Sequence, residues 1–338
     1  MRAQTMAQLV RSGSFRRFLG IRARTGDLYR VAYLGAGLRS GIFARLAAAP
    51  MDVATLGTTL GVPTSVHDGL AAWLDMGVDL RLLARRHGRY GVRSREVRDL
   101  LRPANDPLAA FYEELAFLHH RLITETPDRL LSESRFSLAD TDPELVARTS
   151  RLSEAFLAEA IRAVVPAHGP VRLFEVGCGS AAHIRTAASL NPDLTAVGLE
   201  LQDAAAAGAR ANVLTWGLGD RVTIRTGDVR DHPAQPEFDV VTLHQNIYYF
   251  PVESRTPLLA HLAGFLRPGG QLLVTSICRG GGVATAGLDL WGAMTEGTGR
   301  LPEPRTFAAQ LTAAGYRDVR SIRITPDGMY WAFVGTKS

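Results

Sequence analysis

Cysteine is nearly absent. The 338 residues hold two, Cys178 and Cys278, and no CxxC pair, which excludes a disulfide framework and a zinc ribbon. Long apolar runs are missing as well, since no window reaches the length of a membrane span. The opening MRAQTMAQLVRSGSF carries basic residues but neither an apolar stretch nor a cleavage site, so a cytoplasmic protein is expected. Internal repeats and low-complexity tracts are missing too. A concentrated basic face is also lacking. The net charge of +5 rests on arginines scattered along the chain, with small clusters at Arg16–Arg17 and Arg85–Arg86. A nucleic-acid footprint needs such charge on one face, so no nucleic-acid partner is expected. What remains is abundant apolar material: 46% of the residues are hydrophobic, enough for a large core and two domains.

The two halves have different periods. Tyr29–Ala48 carries apolar residues at helical spacing, Val31, Leu34, Leu38, Ile42, Phe43 and Leu46, and predicts one amphipathic helix. Its apolar face is large for a lone small domain and predicts a homodimer. A short helix is expected at Val53–Leu60. The Gly61–Thr64 turn ends in an N-cap candidate, Thr64 or Ser65, and a third helix at Val66–Met76 follows. Leu80–Leu83, a turn at His87–Gly88 and Tyr90–Val92 complete a helix-turn-helix with a small hairpin, the winged-helix pattern. Helices are expected again over Pro107–Ile123 and Leu145–Val165. From Val171 onward short apolar strands alternate with helices. That alternation predicts a mostly parallel sheet. Two strand-like runs, Val319–Ile324 and Tyr330–Val334, predict a closing antiparallel hairpin. The expected organisation is therefore α/β: 1–105 a mainly helical winged-helix domain, 106–165 bridging helices, 166–338 a Rossmann-like domain.

The first strand of that domain runs into Glu175-Val176-Gly177-Cys178-Gly179-Ser180. Glycines there let a backbone turn sharply and approach a ligand. Glu200 lies 25 residues after Glu175, at the end of the second predicted strand, where a carboxylate accepts both ribose hydroxyls. Asp228 follows the third strand and suits the exocyclic amine of adenine. A dinucleotide-binding domain is the competing reading, because Gly177, Gly179 and Ala182 approach GxGxxG/A. Three features oppose it. Glu175 stands two residues before the first glycine, where it meets the amino group of a methionine moiety. Asp228 marks a second nucleoside contact. The sheet closes with a hairpin rather than a second mononucleotide half.

The runs EVGCGSAAH, VGLEL, TGDVRD, FDVVTLHQNIYYFP and LRPGGQLLVTS resemble the successive motifs of class I S-adenosylmethionine-dependent methyltransferases. They cover about Val171–Ser338. With the winged-helix pattern, the whole chain resembles the small-molecule O- and C-methyltransferases of secondary metabolism. The resemblance implies an N-terminal domain that builds an intertwined homodimer and closes over a small-molecule acceptor. It implies that Glu175, Gly177 and Gly179 touch the donor's methionine part and ribose, and that Glu200 holds the ribose. Leu201 packs on adenine, which Asp228 and Val229 hold. His244 and Gln245, just past the fourth strand, lie near the sulfonium and the acceptor.

The resemblance also marks departures. The place of the catalytic histidine of the O-methyltransferases is taken by Tyr248, a poor base at neutral pH, where its reference pKa is about 10. His244, four residues earlier, is the alternative. In the branch that methylates the β-carbon of keto acids, a metal is held by a His-Asp pair and a later histidine. Here His244 is followed by Gln245, and Trp291 takes the later place. One imidazole and a neutral amide make a poor divalent site, so no metal is expected; Asp289 is read as a helix-surface or capping residue. Tyr112, His119 and Trp291 are candidates for the acceptor pocket, and Arg121 or Arg129 for a substrate carboxylate. A winged-helix regulator is the non-enzyme alternative. Asp68 and Asp75, with no basic residue on Val66–Met76, speak against phosphate contacts by that helix.

Overall fold

The computed structural model describes Arg11 and residues 14–338. The start of the 1–105 expectation and most of the MRAQTMAQLVRSGSF run lie outside these residues. The chain divides into two units. One comprises the described residues to Arg121 with Pro143–Thr149, the other Leu122–Asp142 with Ser150–Ser338. The segment read as bridging helices is thus shared between them.

In the first unit, α1 (Ser14–Arg39) and α2 (Ile42–Ala48) stand where one helix was expected. Gly41 separates them at φ +69°, a conformation glycine adopts without a Cβ penalty. α3 (Val53–Leu60) starts at Asp52, whose side chain accepts from the Thr55 N–H at 2.8 Å, and stops at Gly61, φ +70°. α4 (His67–Asp79) has no side-chain cap; the N-cap candidates Thr64 and Ser65 sit instead in a 3₁₀ turn before it. β1 (Leu83–Arg86) and β2 (Arg89–Val92) form an antiparallel hairpin. His87 and Gly88 both have positive φ, as a type I′ turn requires. Tyr33, Leu34, Ile42, Phe43 and Leu46 are buried with Leu56, Leu74 and Tyr90 in one core, and the Tyr33 ring stacks on Trp73 at 4.0 Å. The apolar face expected to await a second copy is therefore largely covered by its own unit. α5 (Arg95–Leu100) leads into α6 (Asp106–Glu114), which continues through a π-helical turn at Leu115–His119 into α7 (His120–Leu131). α8 (Pro143–Ser150) is pinned to α6 by Arg148, bonded to Asp106 at 2.7 Å and Glu113 at 3.2 Å.

The second unit is a sheet of order β5-β4-β3-β6-β7-β9-β8. Its strands are β3 (Val171–Val176), β4 (Leu194–Glu200), β5 (Val222–Thr226), β6 (Phe238–His244), β7 (Leu266–Ile277), β8 (Tyr316–Arg323) and β9 (Tyr330–Lys337). β5, β4, β3, β6 and β7 are parallel, and β9 runs antiparallel to both β7 and β8, as the alternation and closing hairpin predicted. One face is covered by α9 (Glu154–Arg162), α10 (Ala182–Leu190) and α11 (Asp203–Thr215), the other by α12 (Arg255–Ala263) and the later α14 (Pro304–Ala313). The expected long helix 145–165 is broken by a 3₁₀ turn at Arg151–Ser153. The LRPGG run, whose proline and glycines have the chemistry of a turn, belongs to β7. Phe238 pairs with Leu266 and Val240 with Gln271, so the residues between bulge out of the ladder. α13 (Val283–Met294) had no counterpart in the sequence reading. Among the described residues no helix is long and apolar enough to cross a membrane.

Strand order reverses between β3 and β6. In open α/β sheets the crevice beyond the strands' carboxyl ends at such a switch point is where ligands bind. Pairing of Val176 with Leu199 and Leu243, and of His244 with Thr275, brings the carboxyl ends of β4, β3, β6 and β7 level there.

Candidate active site

β3 ends at Val176, and the chain then reverses through Gly177 (φ +65°), Gly179 (φ +52°) and Ala181 (φ +64°) before α10. The N–H groups of Gly177 and Cys178 both donate to the Leu199 carbonyl, at 2.8 and 3.1 Å, which ties the turn to the end of β4. The two glycines differ in the space around them. A Cβ on Gly177 would lie 2.3 Å from Asn246 Nδ2, whereas one on Gly179 would meet nothing within 4 Å. The turn is therefore sealed at Gly177 and open at Gly179.

Glu200, the last residue of β4, faces this opening. Its Oε2 accepts from Gly179 N–H at 2.9 Å and its Oε1 from Gln202 N–H at 3.1 Å. Leu201 beside it is 60% exposed, an apolar platform at the mouth. Glu175 is fully buried. Burial pushes its pKa up, the bond from His183 pulls it back, and the repulsion of Glu200 pushes it up again. Two carboxylates thus crowd one glycine turn. They suit a cationic ligand and disfavour the pyrophosphate of a dinucleotide, for which such turns otherwise supply N–H donors. After β5, Asp228 is engaged by Arg230, which holds its carboxyl below the usual range. Val229 is buried, and its carbonyl accepts from His261 Nε2 at 2.9 Å.

The other side of the crevice is built at the end of β6. His244 is 5% exposed, and its Nδ1 lies 2.9 Å from Thr275 Oγ1. Its ring stands 4.5 Å from that of His183. Burial, reinforced by His183, lowers its pKa well below 6.5, so this imidazole is neutral at neutral pH. Gln245 takes φ +52° and accepts from Ile277 N–H through Oε1 at 2.9 Å. Asn246 donates to the Val176 carbonyl at 2.8 Å. Gln245 Nε2, Asn246 Oδ1 and His183 Nε2 are buried without a hydrogen-bond partner among the described residues. Buried polar atoms rarely stay unpaired, so this end of the sheet is set up to receive polar groups.

Tyr248 and Trp291 also come together. They meet edge to face at 6.3 Å, in a buried cluster with Leu122, Phe136, Met294 and Leu301. Trp291 Nε1 reaches Thr141 Oγ1 at 3.4 Å. Tyr112 and His119 lie in the other unit, where Tyr112 donates to Glu96 and His119 faces Glu114 at 3.2 Å. Arg129 pairs with Glu125 and stacks on Phe136. Asp289 binds Arg300 and the Leu301 N–H from within its helix. His183 and Thr275 had no role in the sequence reading. His183 closes the run EVGCGSAAH, eight residues after Glu175.

Residues 173–270 match a protein family described as a methyltransferase domain. The chain is 28% identical over 192 residues to a demethylspheroidene O-methyltransferase of Rhodobacter capsulatus, covering 55% of this chain and 47% of that protein. It is 27% identical over 190 residues to an L-tyrosine C(3)-methyltransferase of Streptomyces lavendulae, covering 53% and 50%. The chain thus spans about half the length of the curated relatives it matches. Among solved structures, a mitomycin 7-O-methyltransferase superposes with a TM-score of 0.78 at 19% identity, over 99% of this chain and all of the other.

Proposed function

We infer that this chain, whose residues 173–270 match a methyltransferase domain, is of the class I S-adenosylmethionine-dependent type and moves a methyl group from that donor to carbon or oxygen of a small molecule of secondary metabolism. The observation that carries the reading is the pair of carboxylates at the glycine turn, Glu175 fully buried and Glu200 bonded to Gly179. A dinucleotide offers pyrophosphate to such a turn; S-adenosylmethionine offers a sulfonium and an ammonium, which two acids welcome.

When bound, the donor supplies an electrophilic methyl on a positive sulfur, so the protein's work is to orient and to exclude water. Glu200 receives the ribose hydroxyls. Gly177, Gly179 and Glu175 receive the methionine part, and Leu201, Asp228 and Val229 the adenine. Asp228, held here by Arg230, would accept from the adenine amine. His244 and Gln245 face the reacting groups, and Tyr248 with Trp291 forms an apolar wall for the acceptor. As a neutral base, His244 accepts the acceptor's proton or holds its hydroxyl. We assign no resident metal: His244 Nδ1, Gln245 Oε1 and Asp289 are already bonded within the protein. Calorimetry tests the whole. The purified protein is expected to bind one S-adenosylhomocysteine per chain, with chelator present, and not NAD. Binding of NAD without the homocysteine nucleoside would sink the reading.

The first unit we read as a winged-helix dimerisation domain. The support is its helix-helix-helix-hairpin order and the apolar residues left open on α1, Ile21 at 62%, Leu28 at 54% and Tyr29 at 48% exposed. Large apolar side chains gathered on one helix mark an interaction surface. Light scattering at micromolar concentration is expected to give twice the mass of one chain; a monomer mass would refute it.

A further inference from the structure

The site contains one side chain that touches both of its halves. His183 is the second residue of α10. The strained Ala181, φ +64° and fully buried, turns the chain so that the first turn of α10 comes back over β3. His183 Nδ1 thereby lies 3.2 Å from Glu175 Oε1. Its ring stands 4.5 Å from the His244 ring, tilted by 44°. Glu175 is on the donor side of the site and His244 on the acceptor side. The two belong to neighbouring strands whose ends pair, Val176 with Leu243, and His183 caps both from the helix layer.

Each contact fixes something that is otherwise free. A carboxylate buried to 1% exposure is costly to ionise without a partner. Among the described residues His183 is the side chain shown bonding it. Its direction of approach decides how the carboxylate faces the turn. For His244, the Thr275 hydroxyl holds one ring nitrogen, but a single bond leaves the ring free to rotate about it. The His183 ring against its face sets the plane.

We propose that His183 is a positioning residue for both halves of the methyl transfer, holding the Glu175 carboxylate through Nδ1 and the plane of the His244 imidazole through its ring. This rests on the donor reading above. It assigns two separable tasks to one side chain, and two substitutions separate them. The amide nitrogen of asparagine occupies nearly the place of imidazole Nδ1 and can donate to Glu175, but it presents no ring. Phenylalanine keeps a ring face and gives up the bond.

The test uses the full-length protein, S-adenosylhomocysteine as probe, and histidine labelled with carbon-13. His244 is recognised among the nine histidines by the signal that vanishes in His244→Gln. His183→Asn is expected to bind the probe within about threefold of wild type while the His244 ring signals shift or broaden, because the neighbouring ring at 4.5 Å is lost. His183→Phe is expected to bind at least about tenfold more weakly with the His244 signals sharp. Wild-type affinity in His183→Phe, or unmoved His244 signals in His183→Asn, overturns the proposal while the donor reading stands. Failure of the wild-type protein to bind the probe overturns the donor reading itself, and this proposal with it. Circular dichroism of both variants, matching wild type, ties the differences to the site.

Discussion

Replacing Glu200 by alanine is expected to weaken S-adenosylhomocysteine binding by about a hundredfold to a thousandfold. A carboxylate accepting two hydroxyls makes two charge-assisted bonds, each worth roughly 1.5–3 kcal/mol. The lower part of their sum, about 3–4 kcal/mol, corresponds to that range, since about 1.4 kcal/mol is a factor of ten. The substitution also frees the turn, because Glu200 bonds the N–H groups of Gly179 and Gln202. Glu200→Gln separates these effects. Its amide oxygen can keep the Gly179 bond and one hydroxyl, so a loss of about tenfold is expected. Calorimetry of both variants against wild type checks the order; an alanine variant within threefold of wild type would remove Glu200 from the donor site.

That carboxylate was legible because its position follows from local rules. A short apolar strand ends at Glu200, a glycine turn precedes the first helix, and parallel topology brings the two strand ends side by side. The same rules gave the sheet and its closing hairpin. They did not reach features set by tertiary contact. Leu34, Phe43 and Leu46 have the period of a helix face whether they meet a second copy or, as here, Leu56, Leu74 and Tyr90 of the same unit. Periodicity records that a face is buried and not what covers it. α13 was hidden because glycine and alanine dilute its apolar period, and glycine within a helix is locally unfavourable. The bulge in β7 was hidden because Arg267-Pro268-Gly269-Gly270 has turn chemistry, which a bulge shares. His183 was hidden for a further reason. Its closeness to Glu175 depends on Ala181 adopting a positive φ, which alanine rarely does, and no local preference announces it.

The glycine turn also separates stability from binding, and Gly177 and Gly179 are expected to respond in opposite ways. Gly177→Ala is expected to destabilise the protein by about 2–4 kcal/mol. An alanine at φ +65° costs roughly 1–2 kcal/mol. Its Cβ would stand 2.3 Å from Asn246 Nδ2, so the Asn246 side chain must leave and its bond to the Val176 carbonyl is lost, adding about 1 kcal/mol or more for a buried acceptor. Gly179→Ala meets nothing within 4 Å and carries only the backbone cost, about 1–2 kcal/mol. Its Cβ enters the open mouth of the turn, where the donor is proposed to lie, so its larger effect is on S-adenosylhomocysteine affinity, at least about tenfold if a contact with the ligand is lost. The origin of the Gly177 effect is checked by adding Asn246→Ala. That substitution alone also breaks the Val176 bond, but in the double variant the obstacle to the new Cβ is gone. The combined loss in chemical denaturation is therefore expected to fall short of the sum of the single losses by about 1 kcal/mol, the sub-additivity of residues in direct contact. Strict additivity would mean that Gly177 is required for its backbone conformation alone, and that Asn246 does not seal the turn.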